Sequence, residues 1–326
     1  MNFIPDYKLE IIKEEDFESS IMEVEKRLQD CRNSGYFDSF DGKKMYYEYF
    51  LAEKAKATIV IVHGLSEFSK KFYEAAYYFL NQGYNVFIYD QRGHGLSFRM
   101  TKQVDLIHVD SFYDYAKDLD VFIENIVMPT NPKALYIYAH SMGGAVTTLY
   151  LAKNQSRVKK ALLSAPLFEP VVTQGVSDSA AKMGVFMAKL FCGGKKKFFG
   201  SKEFNPEVKH NGDVDASKAR FEYNMNLRRN NPCYQSTPMS LSWTYGSLTV
   251  GSRIMKKRVT NGIKTPILIL SAEKDRVVKI EPQFEFASRC DCCEVVTIKN
   301  ANHAMLTGDI EVMTEHFNRT LQFFAD

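Results

Sequence analysis

Several features that would assign a chain to a broad functional class are missing from this sequence. Its 326 residues contain no apolar run of 18 residues, and the amino end has no basic leader followed by an apolar stretch. We therefore expect a protein that neither spans a membrane nor is exported. The formal net charge is only +3, and no platform of basic and aromatic residues is present, so we expect no nucleic-acid partner.

Cysteine is scarce and has no metal-binding pattern. The six cysteines include one cluster, Cys290-Asp291-Cys292-Cys293, but no second Cys or His pair follows at zinc-binding spacing. An even number of cysteines does not by itself imply disulfides in a chain of this length. We expect reduced, structural cysteines in a cytoplasmic protein, with no metal and no other cofactor.

The chain is rich enough in apolar residues, at 45%, to bury a large core. An Asp-Gly turn within residues 35–51 predicts a hairpin. The β-prone runs after it alternate with helical segments, such as 72–82 and 112–127, which predicts a mostly parallel sheet with helices on both faces. These predicted strands span 58–62, 86–90, 135–139, 160–164, 267–271 and 294–298.

The alternation stops between residues 166 and 262, and the chain is longer than such a core needs by roughly one insertion. We therefore predict an inserted helical cap over 166–262. The core would then consist of two parts, 34–165 and 263–326. A charged segment before them, 1–33, predicts an amino-terminal helix.

Ser141 stands at the apex of a small-residue turn between a predicted strand and a predicted helix. Ala139 and Gly143 lie two positions on either side, where larger side chains would collide. This is the pattern of a nucleophile elbow, a strained turn that makes a serine hydroxyl project from the end of a sheet. Ser141 is therefore the predicted nucleophile.

Two partners for this serine follow late strands, at the carboxyl edge where parallel sheets carry functional groups. Asp275 follows the strand at 267–271, and His303 follows the strand at 294–298. We predict His303 as the general base and Asp275 as the acid that orients it, with Glu273 as the rival acid. The other histidines that we considered are interpreted as structural or surface residues; they are His94, His108, His140, His210 and His316.

A His-Gly turn follows the predicted strand at 58–62, and Gly64 would permit close approach of the backbone. In hydrolases with a nucleophile elbow, this loop and the residue after the nucleophile supply two N–H groups that bind the oxyanion. Those groups would be the backbone amides of Leu65 and Met142.

Several motifs together make the chain resemble a known family. They are His63-Gly64-Leu65-Ser66-Glu67, Asp90-Gln91-Arg92-Gly93-His94-Gly95-Leu96-Ser97, Ala139-His140-Ser141-Met142-Gly143-Gly144, Ser164-Ala165-Pro166 and Asn302-His303. The chain resembles the lysophospholipases and monoacylglycerol lipases of the α/β-hydrolase superfamily, and among these the bacterial lysophospholipases in particular. Phe68 and Phe72 depart from the His and Tyr that are common in monoacylglycerol lipases, which favours the lysophospholipase side.

The resemblance implies an α/β-hydrolase fold and an enzyme that releases a fatty acid from a single-chain lipid ester, a lysophospholipid, through an acyl-enzyme on Ser141. Monoacylglycerol lipase, general short-chain carboxylesterase and peptidase are the alternatives within the superfamily. An acyltransferase or a non-catalytic lipid-binding relative is the alternative of another class.

The predicted cap carries apolar and basic residues that suit a lipid. In the helical run 180–191, Met183, Phe186 and Met187 would line an acyl-chain pocket above Ser141, although a structural packing role is the alternative. Between residues 182 and 229, eleven Lys and Arg stand against five Asp and Glu. We expect Lys195, Lys196 and Lys197 to contact a phosphate headgroup or an anionic membrane surface, with a solvated loop as the alternative.

Overall fold

The protein is described here by a computed structural model over residues 9–325. Residues 1–8 of the predicted amino-terminal segment lie outside this range. The strands are β1 (Arg32–Asp38), β2 (Lys44–Phe50), β3 (Ala57–Val62), β4 (Tyr84–Tyr89), β5 (Leu135–His140), β6 (Lys160–Ser164), β7 (Ile267–Ala272) and β8 (Cys293–Ile298). The helices are α1 (Phe17–Cys31), α2 (Tyr73–Asn81), α3 (Phe112–Phe122), α4 (Met142–Asn154), α5 (Asp178–Cys192), α6 (Lys218–Asn230), α7 (Leu241–Ile254), α8 (Lys257–Thr260), α9 (Glu281–Arg289) and α10 (Ile310–Ala325).

The eight strands form one sheet in the order β1-β2-β4-β3-β5-β6-β7-β8. The pairs β1–β2 and β2–β4 are antiparallel, and every later pair is parallel. The predicted hairpin and the six predicted strands are confirmed, and each predicted strand end lies within two residues of the observed one. The predicted α/β class, a mostly parallel sheet with helices on both faces, is confirmed as well.

Helices cover both faces of the sheet, because its central strands are apolar on both sides. All six residues of β3 are buried, and they are mostly β-branched, as a strand covered on both faces requires. On one face the core includes residues of α3, α4, α7 and α9. On the other face it includes residues of α1, α2 and α10. In α1 the buried residues recur at helical spacing, namely Phe17, Ile21, Val24 and Leu28.

The interruption between β6 and β7 contains α5, α6, α7 and α8. Helix α7 packs on α5 and also on α3 and α4 of the sheet layer, and its Trp243 belongs to the core below. Helix α6 is fixed to the opposite layer by Arg220, which forms ion pairs with Glu74 of α2 and with Glu14. These two attachments hold the inserted helices above the carboxyl ends of the strands.

None of the helices within residues 9–325 combines the length and the apolar character that a membrane span requires.

Candidate active site

Ser141 occupies the sharp turn between β5 and α4. The strand ends at His140 and the helix begins at Met142, so one residue joins them. The backbone of Ser141 has φ 51° and ψ −116°, a conformation that residues with side chains rarely adopt. The turn fits because Gly143 has no side chain; a Cβ atom there would lie 2.0 Å from the carbonyl oxygen of Val62. The predicted strand–turn–helix arrangement around Ser141 is therefore present.

His303 lies between Ser141 and Asp275 and contacts both. Its Nε2 is 2.9 Å from Oγ of Ser141, and its Nδ1 is 2.8 Å from Oδ2 of Asp275. Because an ionised carboxylate only accepts hydrogen bonds, Nδ1 carries the proton, and Nε2 is left to accept from the serine hydroxyl. The second carboxylate oxygen of Asp275 accepts the N–H groups of Val277 and Val278. The three side chains form one continuous hydrogen-bonded chain.

The rival acid, Glu273, is engaged elsewhere. Its Oε2 accepts the backbone N–H of Asn300 at 2.8 Å, at the end of β8. The imidazole Nδ1 of His303 contacts Oδ2 of Asp275 instead. The geometry therefore favours Asp275 as the partner of His303.

Burial and pairing set the charges of His303 and Asp275. Burial lowers the pKa of His303 below its usual value, although the hydrogen bond to Asp275 acts in the opposite direction. Burial would raise the pKa of Asp275, but the hydrogen bond and charge of His303 outweigh it, and the pKa is lowered. At neutral pH the imidazole is therefore neutral and the carboxylate ionised, which are the states required of a base and its orienting acid.

The two predicted oxyanion donors belong to segments that flank Ser141. Leu65 lines the same cavity as Ser141. A Cβ atom on Gly64 would lie 3.1 Å from Cβ of Ser141, so the loop after β3 runs against the nucleophile. Met142 is the first residue of α4, where backbone N–H groups have no acceptor inside the helix. The structure brings both segments to the nucleophile, and the role of their N–H groups stays a prediction.

A buried charged network lies beside these residues and was missed by the sequence reasoning. Glu67 accepts from Lys71 at 2.9 Å and from Nδ1 of His140 at 3.0 Å, and it also accepts the N–H of Gly64. Nε2 of His140 lies 3.3 Å from the carbonyl oxygen of His303. The charges of His140 and Lys71 hold the pKa of Glu67 well below its usual value, against the effect of burial. The spacing of four residues between Glu67 and Lys71 was the available signal.

A cavity of about 710 Å³ opens above Ser141 and His303, a size usual for small-molecule sites. Most of its wall is apolar, and its ionisable lining includes Glu67, Lys71 and Arg228. The apolar wall comes largely from the inserted segment and the loops beside it, with Leu167, Val172, Val185, Phe198, Trp243 and Leu248 among its residues.

The pocket contacts predicted for Met183, Phe186 and Met187 need correction. Helix α5 does face the cavity, but through its small residues, which include Ala181 and Gly184. The side chains of Met183, Phe186 and Met187 are 61%, 41% and 39% exposed on the outer face. Helical spacing identified one face of α5 correctly, but the larger apolar side chains lie on the face turned away from the cavity.

The three predicted lysines also lie outside the cavity. Lys195, Lys196 and Lys197 are exposed in the loop after α5, and Lys197 forms an ion pair with Glu203. The loop is fixed to the start of α7 by a backbone hydrogen bond from Leu241 to the carbonyl oxygen of Lys196. A substrate inside the cavity is therefore not held by these lysines, and contact with a membrane surface stays a prediction.

A metal site is not apparent either: across residues 9–325, no three His, Cys, Asp or Glu side chains are arranged to hold an ion.

Comparisons with known proteins agree with this geometry. Residues 53–311 match the profile of the family described as serine aminopeptidase, S33. The chain is 28% identical over 271 residues to a probable lysophospholipase L2 of Haemophilus influenzae, which covers 81% of this chain and 82% of that protein. It is also 28% identical over 262 residues to lysophospholipase L2 of Escherichia coli, with 76% and 72% of the two chains covered.

The fold is similar to that of solved structures. A soluble variant of monoglyceride lipase from Saccharomyces cerevisiae, in complex with a substrate analog, superposes with a TM-score of 0.70 at 16% identity. The match covers 90% of this chain and 95% of that one. At this level of identity the likeness concerns the fold alone.

Proposed function

We propose that this chain, which belongs to the family described as serine aminopeptidase, S33, is a serine hydrolase. Its substrate would be the ester of a single-chain lipid, a lysophospholipid. The observation that carries the proposal is the chain Ser141–His303–Asp275 beneath a mostly apolar cavity. A nucleophile, a base and an orienting acid are the groups that acyl transfer to serine requires.

The geometry supports a two-step reaction. His303 takes the proton of the Ser141 hydroxyl while Oγ attacks the ester carbonyl, and Asp275 stabilises the resulting imidazolium. The N–H groups of Leu65 and Met142 bind the oxyanion of the tetrahedral intermediate. When that intermediate collapses, His303 returns the proton to the departing alcohol and an acyl-enzyme remains.

Water completes the reaction. His303 removes a proton from a water molecule that attacks the acyl-enzyme, and it then protonates Oγ of Ser141 as the fatty acid leaves. Both products come from the substrate and one water, and the enzyme returns to its first state.

The names of two relatives favour a lysophospholipid, since the proteins of Haemophilus influenzae and Escherichia coli are both named as lysophospholipases. Monoacylglycerol is the second candidate. A monoglyceride lipase of Saccharomyces cerevisiae is 26% identical over 139 residues, and an apolar cavity suits either acyl chain. A peptidase that acts at the amino terminus of its substrate is disfavoured, because binding the substrate's ammonium group would require an unpaired carboxylate in the cavity. The candidate in the lining, Glu67, is already bound to Lys71 and His140.

We also propose that the outer face of α5 and the following loop rest on an anionic membrane surface. The side chains of Leu190, Phe191 and Phe199 are 64%, 77% and 81% exposed, which is costly in water unless a partner covers them. Lys195 and Lys196 stand beside them and complement anionic lipid. Phe199 also lines the cavity, so a lipid on this surface would enter near it.

Six free cysteines suit a reducing compartment, and we propose the cytoplasm.

A hydrolysis panel tests the function. Lysophospholipids, monoacylglycerols and p-nitrophenyl esters with matched acyl chains are compared by kcat/KM, and amino-acyl p-nitroanilides represent the peptidase. We expect the highest kcat/KM for lysophospholipid. A higher value for monoacylglycerol would assign the second function, and hydrolysis of the anilides alone would contradict lipid-ester hydrolysis.

A further inference from the structure

Arg228 lies in the last turn of α6 and lines the cavity that contains Ser141 and His303. Its Nε donates to the carbonyl oxygen of Tyr234 at 3.1 Å, and its Nη2 donates to Oγ1 of Thr237 at 2.5 Å. Its guanidinium also lies over the ring of Phe204. A guanidinium has five N–H donors, and within residues 9–325 three of them have no hydrogen-bond acceptor.

Three other arginines differ from Arg228 in this respect. Arg92 is bound to the carboxylates of Asp118 and Asp41, and Arg220 to those of Glu74 and Glu14. Arg99 has no carboxylate partner, but all five of its N–H groups have backbone carbonyl acceptors. In the part of the chain that the structure describes, Arg228 has neither an ion pair nor a full set of acceptors.

An aromatic stack lies behind the turn that contacts Arg228. The ring of Phe68 stacks on the ring of Tyr234 with 3.9 Å between centroids and an angle of 5°. The carbonyl oxygen of Tyr234 accepts the Nε–H group of Arg228. Phe68 thus supports the turn that directs Arg228 toward the cavity.

The charged groups near Arg228 do not neutralise its guanidinium. Burial lowers the pKa of Arg228 to about 10, while the charge of Asp215 acts in the opposite direction; the guanidinium stays charged at neutral pH. Asp215 itself accepts the hydroxyl of Thr307. Lys71 lines the same cavity but is bound to Glu67. A partly buried guanidinium without a paired carboxylate has N–H groups for charge-assisted hydrogen bonds to an anion from outside the chain.

We propose that Arg228 binds the phosphate of the substrate's headgroup and thereby selects single-chain phospholipids over monoacylglycerols. Guanidinium and phosphate match in geometry, because two N–H groups can donate to two phosphate oxygens. The inference rests on the proposed lipid-ester hydrolysis, and it names the group that recognises the headgroup inside the cavity.

The test compares kcat/KM of the wild type, Arg228→Gln and Arg228→Lys on a lysophospholipid and on the monoacylglycerol with the same acyl chain. We expect Arg228→Gln to reduce kcat/KM on lysophospholipid about 10- to 100-fold, mainly through KM, as loss of a charged hydrogen bond implies. Hydrolysis of monoacylglycerol should change less than about twofold, and Arg228→Lys should retain part of the selectivity. Arg229→Gln is the matched control, because Arg229 is the next residue, is exposed and pairs with Glu222.

Equal losses on both substrates would assign Arg228 a structural role and overturn the proposal, and so would unchanged activity on both. Thermal unfolding and the rate of fluorophosphonate labelling of Ser141 detect a misfolded variant. If Arg228→Gln misfolds, Arg228→Lys alone decides, and the proposal then requires its loss to be confined to lysophospholipid.

A separate inhibition experiment distinguishes failure of this proposal from failure of the proposed function. A non-hydrolysable ether lysophospholipid should inhibit p-nitrophenyl butyrate hydrolysis competitively, with a Ki about 10- to 100-fold higher in Arg228→Gln. If the wild type hydrolyses no lysophospholipid but the Ki of the ether lipid is still higher in Arg228→Gln than in the wild type, the proposed function fails and the phosphate site stands. If inorganic phosphate inhibits as strongly as the ether lipid, the site binds free phosphate and the headgroup assignment is overturned.

Discussion

Asp275 holds His303 in one tautomer: its Oδ2 lies 2.8 Å from Nδ1 of the imidazole, and its other oxygen is fixed by two backbone N–H groups. Asp275 is thus constrained at both oxygens. The imidazole can therefore meet the serine hydroxyl only through Nε2. This relationship predicts different outcomes for the two acidic residues that follow β7.

Asp275→Asn should lower kcat about 10⁴-fold, because an amide at this site favours the wrong tautomer of His303. Glu273→Gln should leave kcat nearly unchanged, since the carboxylate of Glu273 accepts the backbone N–H of Asn300. Both are isosteric changes, and kcat on a p-nitrophenyl ester measures them directly. The reverse pattern would transfer the role of the acid to Glu273.

The rate should depend on pH through His303. Burial lowers the pKa of this histidine, and protonation abolishes its function as a base. The acid limb of kcat/KM should therefore have its midpoint below about 6.5, the usual pKa of histidine, with full activity above it. Asp275 raises the pKa of His303, so the residual activity of Asp275→Asn should have its acid limb at still lower pH. A midpoint above pH 7 in the wild type would contradict this assignment.

Two glycine substitutions, one in the elbow and one in α5, should have opposite effects on the free energy of unfolding. Gly143→Ala should reduce the free energy of unfolding by about 3 kcal/mol, because its Cβ would overlap the carbonyl oxygen of Val62. Gly184→Ala, in α5, meets no atom within 4 Å and should raise stability by about 0.5–1 kcal/mol. Urea unfolding measures both values. Equal stabilities for the two variants would argue against the close contact at Gly143.

The sequence was sufficient for most of the sheet and for the geometry around Ser141. Runs of mostly β-branched residues such as 57–62 have few alternatives to a buried strand, and the elbow needs small residues at fixed positions around Ser141. Because parallel strands end at one edge of the sheet, the sequence alone predicts that Asp275 and His303 belong to the same site.

The cap could not be predicted at the level of side chains. Periodicity identifies the two faces of α5, but it does not say which one meets the cavity. In the structure Met183 and Phe186 lie on the exposed face. Arg228 and Arg229 are indistinguishable in sequence, since only the fold makes one line the cavity and the other pair with Glu222. Such differences arise from long-range contacts and leave no local pattern.

The basic loop of the cap should act only at a membrane. Replacing Lys195, Lys196 and Lys197 together with Gln should lower activity on lysophospholipid in anionic vesicles, and added salt should lower wild-type activity in the same assay. Hydrolysis of a water-soluble p-nitrophenyl ester should not change. A variant with Gln at three exposed lysines outside the cap removes the same charge; those residues are Lys26, Lys54 and Lys264. Equal responses of the two triple variants would show that only net charge matters.

The central claim is that Ser141 is the acylated nucleophile of a lipid-ester hydrolase. The most direct measurement combines mass-spectrometric mapping of a fluorophosphonate adduct with lysophospholipid and monoacylglycerol hydrolysis by wild type and Ser141→Ala. We expect an adduct on Ser141 and on no other serine. In Ser141→Ala, kcat on both lipids should fall by a factor of about 10⁴ to 10⁶ while thermal unfolding stays unchanged, because nucleophile and base act as a unit. An adduct elsewhere, or a Ser141→Ala protein that keeps a tenth of the activity, would contradict it.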